Sequence, residues 1–103
     1  MIKASVFYPN GEGARFDVDY YCDRHIPMVL ETLGDDCRGV NVEKGLVGGA
    51  PDAPPQFIAL GHLMFDSLED FQRSFLANLP KFVADLPNFT NVQPSLQISE
   101  VRM

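Results

Sequence analysis

Two histidines and three tyrosines are the side chains of this 103-residue sequence best suited to proton chemistry, and their spacing sorts them. His25 follows Tyr21 by four residues in the run Tyr20-Tyr21-Cys22-Asp23-Arg24-His25-Ile26-Pro27. Four residues is one helical turn, so the two rings share a face. A neutral imidazole in a pocket takes a proton from an acidic carbon or a phenol. On an apolar face the same side chain also serves as a hydrogen-bonded structural residue, and both roles stay open. Tyr21 is the better placed tyrosine to bring a hydroxyl to that pocket, although packing the ring with its oxygen at the rim is the commoner use. His62 lies in the apolar run from Phe57 to Phe65, where it lines a cavity or is a buried structural residue. Cys22 and Cys37 are too far apart for a redox CxxC pair or a zinc knuckle, and no His, Cys or carboxylate set has metal-ligand spacing, so no metal is expected. Without GxGxxG, a phosphate-binding loop or GxSxG, neither a nucleotide cofactor nor serine hydrolysis is supported, and no cofactor is expected.

The elements that must position these residues follow from period and punctuation. Met1 to Tyr8 alternates as a strand and stops at Pro9-Asn10-Gly11. Asp17 caps a helix whose inward stripe is Val18, Tyr21, Cys22, His25, Val29 and Leu33, closed by Gly34. Pro27 lacks the N–H owed to the carbonyl of Asp23, so the helix is expected to kink or restart just after His25. Gly39 to Val47 reads as a second strand, the Pro- and Gly-rich stretch from Gly48 to Pro55 as a connecting loop, and Gln56 to Phe65 as a third strand. Ser67 with Asp70 is a weak capping-box signal before the stripe Leu68, Phe71, Phe75, Leu79, Phe82 and Leu86, which Pro80 divides. Asn88 and Phe89 stand at a turn, as cap or pocket wall, before a fourth strand over Val92 to Val101. The order is βαββαβ: one α+β, ferredoxin-like domain spanning 1–103, with a four-stranded antiparallel sheet.

Two helices cover one face of such a sheet and leave the other bare. The third strand is nevertheless apolar on both faces, Phe57, Ala59, Leu63 and Phe65 against Ile58, Leu60 and Met64, whereas a solvated antiparallel sheet alternates apolar with polar. Leaving Leu60 and Met64 in water forgoes roughly 1.5–3 kcal/mol each. A second copy is therefore the expected cover. Ser5, Gln97 and Ser99 add polar groups to what reads as the same face, and this mixed lining suits a cavity for a hydrophobic small molecule, with Phe7, Leu60, Met64, Gln97 and Ser99 as walls. Net charge is −6, with eight Lys and Arg scattered singly, so neither nucleic acid nor an anionic membrane is expected as partner. No apolar stretch reaches membrane-spanning length, and a cytoplasmic protein is the expectation.

The Tyr20-Tyr21-Cys22-Asp23-Arg24-His25-Ile26-Pro27 segment resembles the YYxxxHxP segment of the EthD family. The run from Leu86-Pro87-Asn88-Phe89 through Pro94, followed by Leu96-Gln97-Ile98-Ser99-Glu100-Val101, resembles that family's closing signature. The resemblance implies a dimeric α/β barrel, the superfamily that also holds cofactor-free quinone-forming monooxygenases, muconolactone isomerases and polyketide cyclases. Two functions are weighed on it. One is a cofactor-independent monooxygenase, isomerase or cyclase of catabolism, with His25 as base acting on a hydrophobic carbonyl or aromatic compound. The other is a non-catalytic binding or carrier protein of a degradation pathway. The candidate ligand contacts are Phe7, Tyr8, Tyr21, Leu60, His62, Met64, Phe89 and Gln97.

Overall fold

In the computed structural model, which describes residues 1–103, the first alternating run is strand β1, Ile2–Pro9. Helix α1 follows in three continuous pieces: an α-turn at Val18–Tyr20, a π-turn at Tyr21–His25 and an α-helix at Ile26–Leu33. Asp17 caps it by accepting from the Tyr20 amide at 3.0 Å. The π-turn is the physical answer to Pro27. A proline ring clashes with the carbonyl four residues back and offers that carbonyl no donor, and the widened turn, in which the Ile26 amide reaches Tyr21 O, accommodates it. One consequence departs from the sequence expectation. The extra residue shifts the helical phase, so Cys22, assigned by spacing to the inward stripe, is exposed.

Strands β2, Gly39–Lys44, and β3, Phe57–Phe65, then pair antiparallel. β2 is shorter than its alternation suggests: its pairing ends at Lys44 opposite Ala59, and Gly45 passes so close to the Phe57 carbonyl and Pro55 that no side chain fits there. Leu46 and Val47 consequently stand 80% and 74% exposed beyond the strand's end. Helix α2, Leu68–Ser74, is capped by Ser67 Oγ, which accepts from the Asp70 amide at 3.1 Å. A 3₁₀ turn at Leu76–Asn78 separates it from helix α3, Leu79–Ala84, which carries Pro80 in its first turn, where a missing N–H costs nothing. A further 3₁₀ turn, Leu86–Asn88, leads to strand β4, Ser95–Glu100.

The sheet order is β2-β3-β1-β4 with every pair antiparallel, and the fold is the ferredoxin-like βαββαβ arrangement. Register fixes the faces. Ala4 opposes Leu63 and Ile98, and these point toward the helices, where Val29, Leu33, Phe65, Phe71, Phe75 and Phe82 complete the main core. A second cluster, Tyr8, Tyr21, Ile26, Ala59 and Phe89, lies beside it. Ser5 opposes His62 and Gln97, and Asn41 opposes His62, so one polar row crosses all four strands on the uncovered face. Phe7, Leu60 and Met64 flank that row and are half-buried within the single chain. Contrary to simple alternation along β3, a register shift at Tyr8/Pro9 turns Phe57 onto this face beside Phe7, rings 5.3 Å apart, while Ile58 packs on the second buried cluster. No helix is long and apolar enough to cross a membrane. Phe65 is wholly buried and meets Phe71 edge to face at 5.5 Å. Phe65→Ala is expected to cost about 3–5 kcal/mol of unfolding free energy in a urea titration, because the surrounding rings cannot collapse into the vacated volume.

Candidate functional site

Two segments far apart in the chain are stitched together at one end of the sheet. Phe16 bridges Thr90, the Asp17 amide donates to Phe89 O at 2.8 Å, Thr90 Oγ1 donates to Arg15 O at 2.7 Å, and the Arg15 amide donates to Asn91 Oδ1 at 2.7 Å. These bonds set the start of α1 against the turn that follows α3. The result is a His–Asp pair: His25 Nδ1 lies 2.9 Å from Asp85 Oδ2. The other carboxylate oxygen, Oδ1, accepts from the Tyr20 hydroxyl at 2.8 Å and from Asn88 Nδ2 at 2.9 Å.

The electrostatics give each partner one role. Burial lowers the His25 pKa from 6.5, outweighing the hydrogen bond and charge of Asp85, so the ring is neutral at pH 7. Burial raises the Asp85 pKa, but hydrogen bonds from Asn88, His25 and Tyr20, with the His25 charge, outweigh it and hold the group below 3.8 as a carboxylate. A carboxylate only accepts, so neutral His25 must carry its proton on Nδ1, and Nε2 is left as a bare lone pair. Nε2 has no protein partner, yet no buried side-chain nitrogen or oxygen is left without one, so Nε2 opens on accessible space. His25 also lines a cavity of about 220 Å³.

The cavity lies between the sheet and the chain's own helices. Val6, Tyr8, Gly61 and Leu63 form its floor, Tyr21, Ile26 and Val29 its α1 wall, and Phe75, Leu79, Phe82, Val83 and Leu86 the opposite wall, with Gln93 to Leu96 at one end. No Asp, Glu, Lys or Arg lines it. Tyr21 stacks on His25, centroids 5.4 Å apart and planes 15° from parallel, and Phe89 packs on the imidazole at 4.6 Å. The Tyr21 hydroxyl occupies the place where a side chain on residue 61 would begin, so glycine there is a steric requirement. Burial raises Tyr21 to about 12 and raises Tyr8 further, with the facing hydroxyls influencing each other.

The sheet therefore divides the candidate residues. His25, Tyr8 and Tyr21 share the cavity, with Phe89 against His25, while Phe7, Leu60, His62, Met64 and Gln97 lie on the far face. His62 is engaged at both nitrogens there, Nδ1 2.8 Å from Ser5 Oγ and Nε2 3.3 Å from Glu43 Oε1. Asp85 was not singled out from sequence. Its one signal is that it stands three residues before Asn88, a spacing that lets the two side chains meet in a tight turn. No group of His, Cys, Asp or Glu is arranged to hold a metal ion.

Fold and site together define a ferredoxin-like α+β protein with a partly open apolar cavity lined by a buried histidine that is paired with an aspartate. Residues 11–93 match the EthD domain, and the chain belongs to the EthD family. Among solved structures it is similar to an EthD-like protein from Ralstonia eutropha JMP134, at 48% identity and TM-score 0.93 over 99% of this chain and 92% of that one. An EthD family protein from Bacillus halodurans C-125 shares the fold at TM-score 0.68 with 18% identity, covering 99% of both chains. No curated protein matches the sequence.

Because burial depresses the His25 pKa, the unfolded chain takes up this proton first as pH falls. The stability this neutral ring confers is present above about 6.5 and declines as pH drops below it, whereas the Asp85 contribution is lost only below 3.8. Denaturant midpoints measured between pH 7.5 and 5.0 are expected to fall for the native chain and to fall less for His25→Gln. Gly61→Ala is expected to displace Tyr21 from its seat and lower stability by about 1–3 kcal/mol, read in the same titration.

Proposed function

We propose that the chain binds a small, uncharged, largely apolar compound between its sheet and helices, and that His25 acts on it as a general base. The observation that carries this is the 2.9 Å contact between His25 Nδ1 and the Asp85 carboxylate. Asp85 holds the proton on Nδ1, so Nε2 meets the ligand only as an acceptor, and the ligand must present an X–H group to it. A charged ligand is disfavoured because no side chain of opposite charge lines the cavity to offset its desolvation. Tyr20 and Asn88 hold the Asp85 carboxylate, which in turn orients the imidazole and stabilises the imidazolium formed on proton transfer. His25→Ala is expected to lower turnover by about 10²–10⁴-fold.

We further propose that a second copy covers the open face of the sheet. Lys3 and Glu43 are the only formally charged residues on that face, so it is neutral while the chain carries −6, and two copies can stack there without opposing like charges. Its apolar residues Phe7, Phe57, Leu60 and Met64 gain burial in the same step.

2-Naphthol, an uncharged bicyclic phenol, tests the cavity by its fluorescence at pH 7.5. The native chain is expected to bind it at least tenfold more tightly than His25→Ala does and than it binds 2-naphthoate; equal affinities would overturn the assignment. Asp85→Asn turns an amide donor toward Nδ1 and is expected to move the ring proton to Nε2, which ¹⁵N NMR reads directly. Sedimentation at micromolar concentration is expected to show dimers of the native chain and monomers of Leu60→Asp, with 2-naphthol affinity retained in both.

A further inference from the structure

The cavity holds a second polar feature that the base does not use. Tyr8 and Tyr21 both line it, their rings edge to face at 5.4 Å, and the Tyr21 hydroxyl sits against Gly61. Two hydroxyls carry two protons, and a bond between them consumes only one. No other side chain hydrogen-bonds to either oxygen. At least one O–H therefore remains to be donated inside an apolar cavity, beside an imidazole whose unpartnered nitrogen can only accept. An unspent buried donor is costly unless a ligand or water satisfies it.

We infer that Tyr21 is a second catalytic residue of this cavity, donating its hydroxyl to a carbonyl oxygen while His25 Nε2 removes a proton from the adjacent carbon. The inference rests on the reading of His25 as base and narrows the substrate class to uncharged apolar ketones with an acidic α-hydrogen. In the step, the C–H bond breaks and its proton goes to Nε2. The C–H electron pair becomes the carbon–carbon π bond, and the carbonyl π pair moves to oxygen. The enolate oxygen accepts from the Tyr21 O–H, and the imidazolium is held against the Asp85 carboxylate. Exchange of the Nε2 proton with solvent before delivery to carbon completes an isotope exchange, and its delivery to oxygen completes an enolisation, with no oxidant or reductant required. Charge develops on the ketone oxygen only as the proton leaves, so a donor fixed there favours the transition state over the ground state. Because burial holds the Tyr21 proton in place to about pH 12, the donor persists across the whole range in which His25 is neutral. Tyr8 is a positioning residue, its hydroxyl fixing the rotation of the Tyr21 O–H.

The test is α-hydrogen exchange of 2-tetralone in D₂O, followed by proton NMR with the intact chain at pD 7.5. The native chain is expected to accelerate exchange, Tyr21→Phe to lose about 10²-fold of that acceleration, and His25→Ala to abolish it. Tyr8→Phe is expected to lose less and to shift the Tyr21 ¹³Cζ resonance. Binding of 2-naphthol separates the two ideas, since it needs the base and not the donor. Retained, His25-dependent naphthol binding with no exchange, or with exchange unchanged in Tyr21→Phe, overturns the role of Tyr21 and leaves the base intact. Loss of His25 dependence in naphthol binding overturns both. Native-like naphthol affinity in Tyr21→Phe shows that the variant keeps its cavity.

Discussion

The bond between His25 and Asp85 is the constraint on which the site depends. It joins residues 60 apart in sequence, and it decides which imidazole nitrogen faces the cavity. Asp85 could not fill this role as a free side chain. Its second oxygen is held by Tyr20 from α1 and by Asn88 from its own turn, so the carboxylate is fixed from both segments that it links. A buried polar network of this kind specifies geometry because each member removed leaves its partners unsatisfied.

The fold is arranged to bring those two segments together. Backbone and side-chain bonds between residues 13–17 and 89–91 clamp the start of α1 to the turn after α3. The aromatic rings of Phe16, Tyr21 and Phe89 then pack edge to face around Tyr8. The π-turn matters for the same reason. It absorbs Pro27 and leaves His25 stacked on Tyr21 at the cavity wall, so a local backbone irregularity becomes a placement of side chains. π-Turns within helices recur at functional sites for this reason.

The sheet acts as a partition between two chemically different faces. Toward the helices it presents Tyr8, Gly61 and Leu63 to an apolar cavity. Away from them it presents the row Asn41, His62, Ser5 and Gln97, whose histidine has partners at both nitrogens. The two histidines of the chain thus differ in kind. Nε2 of His25 has no protein partner, while His62 is tied across three strands.

Much of this was legible in the residues themselves. Period-two and period-three-to-four runs, broken by Pro and Gly, determined the four strands, the two helical segments and their order. The missing N–H of Pro27 determined that α1 must change geometry near His25. The YYxxxHxP and LPNF runs pointed to the right two segments and the right family. The tertiary structure alone decided that those segments touch, because a contact across 60 residues leaves no periodic trace along the chain. It alone revealed Asp85 as the orienting carboxylate, since an Asp before a proline-containing turn is ordinary local chemistry. It also decided that His25 and Tyr21 lie on the opposite side of the sheet from Leu60, Met64 and Gln97. Alternation along a strand says which residues share a face, but only packing says which face the helices cover.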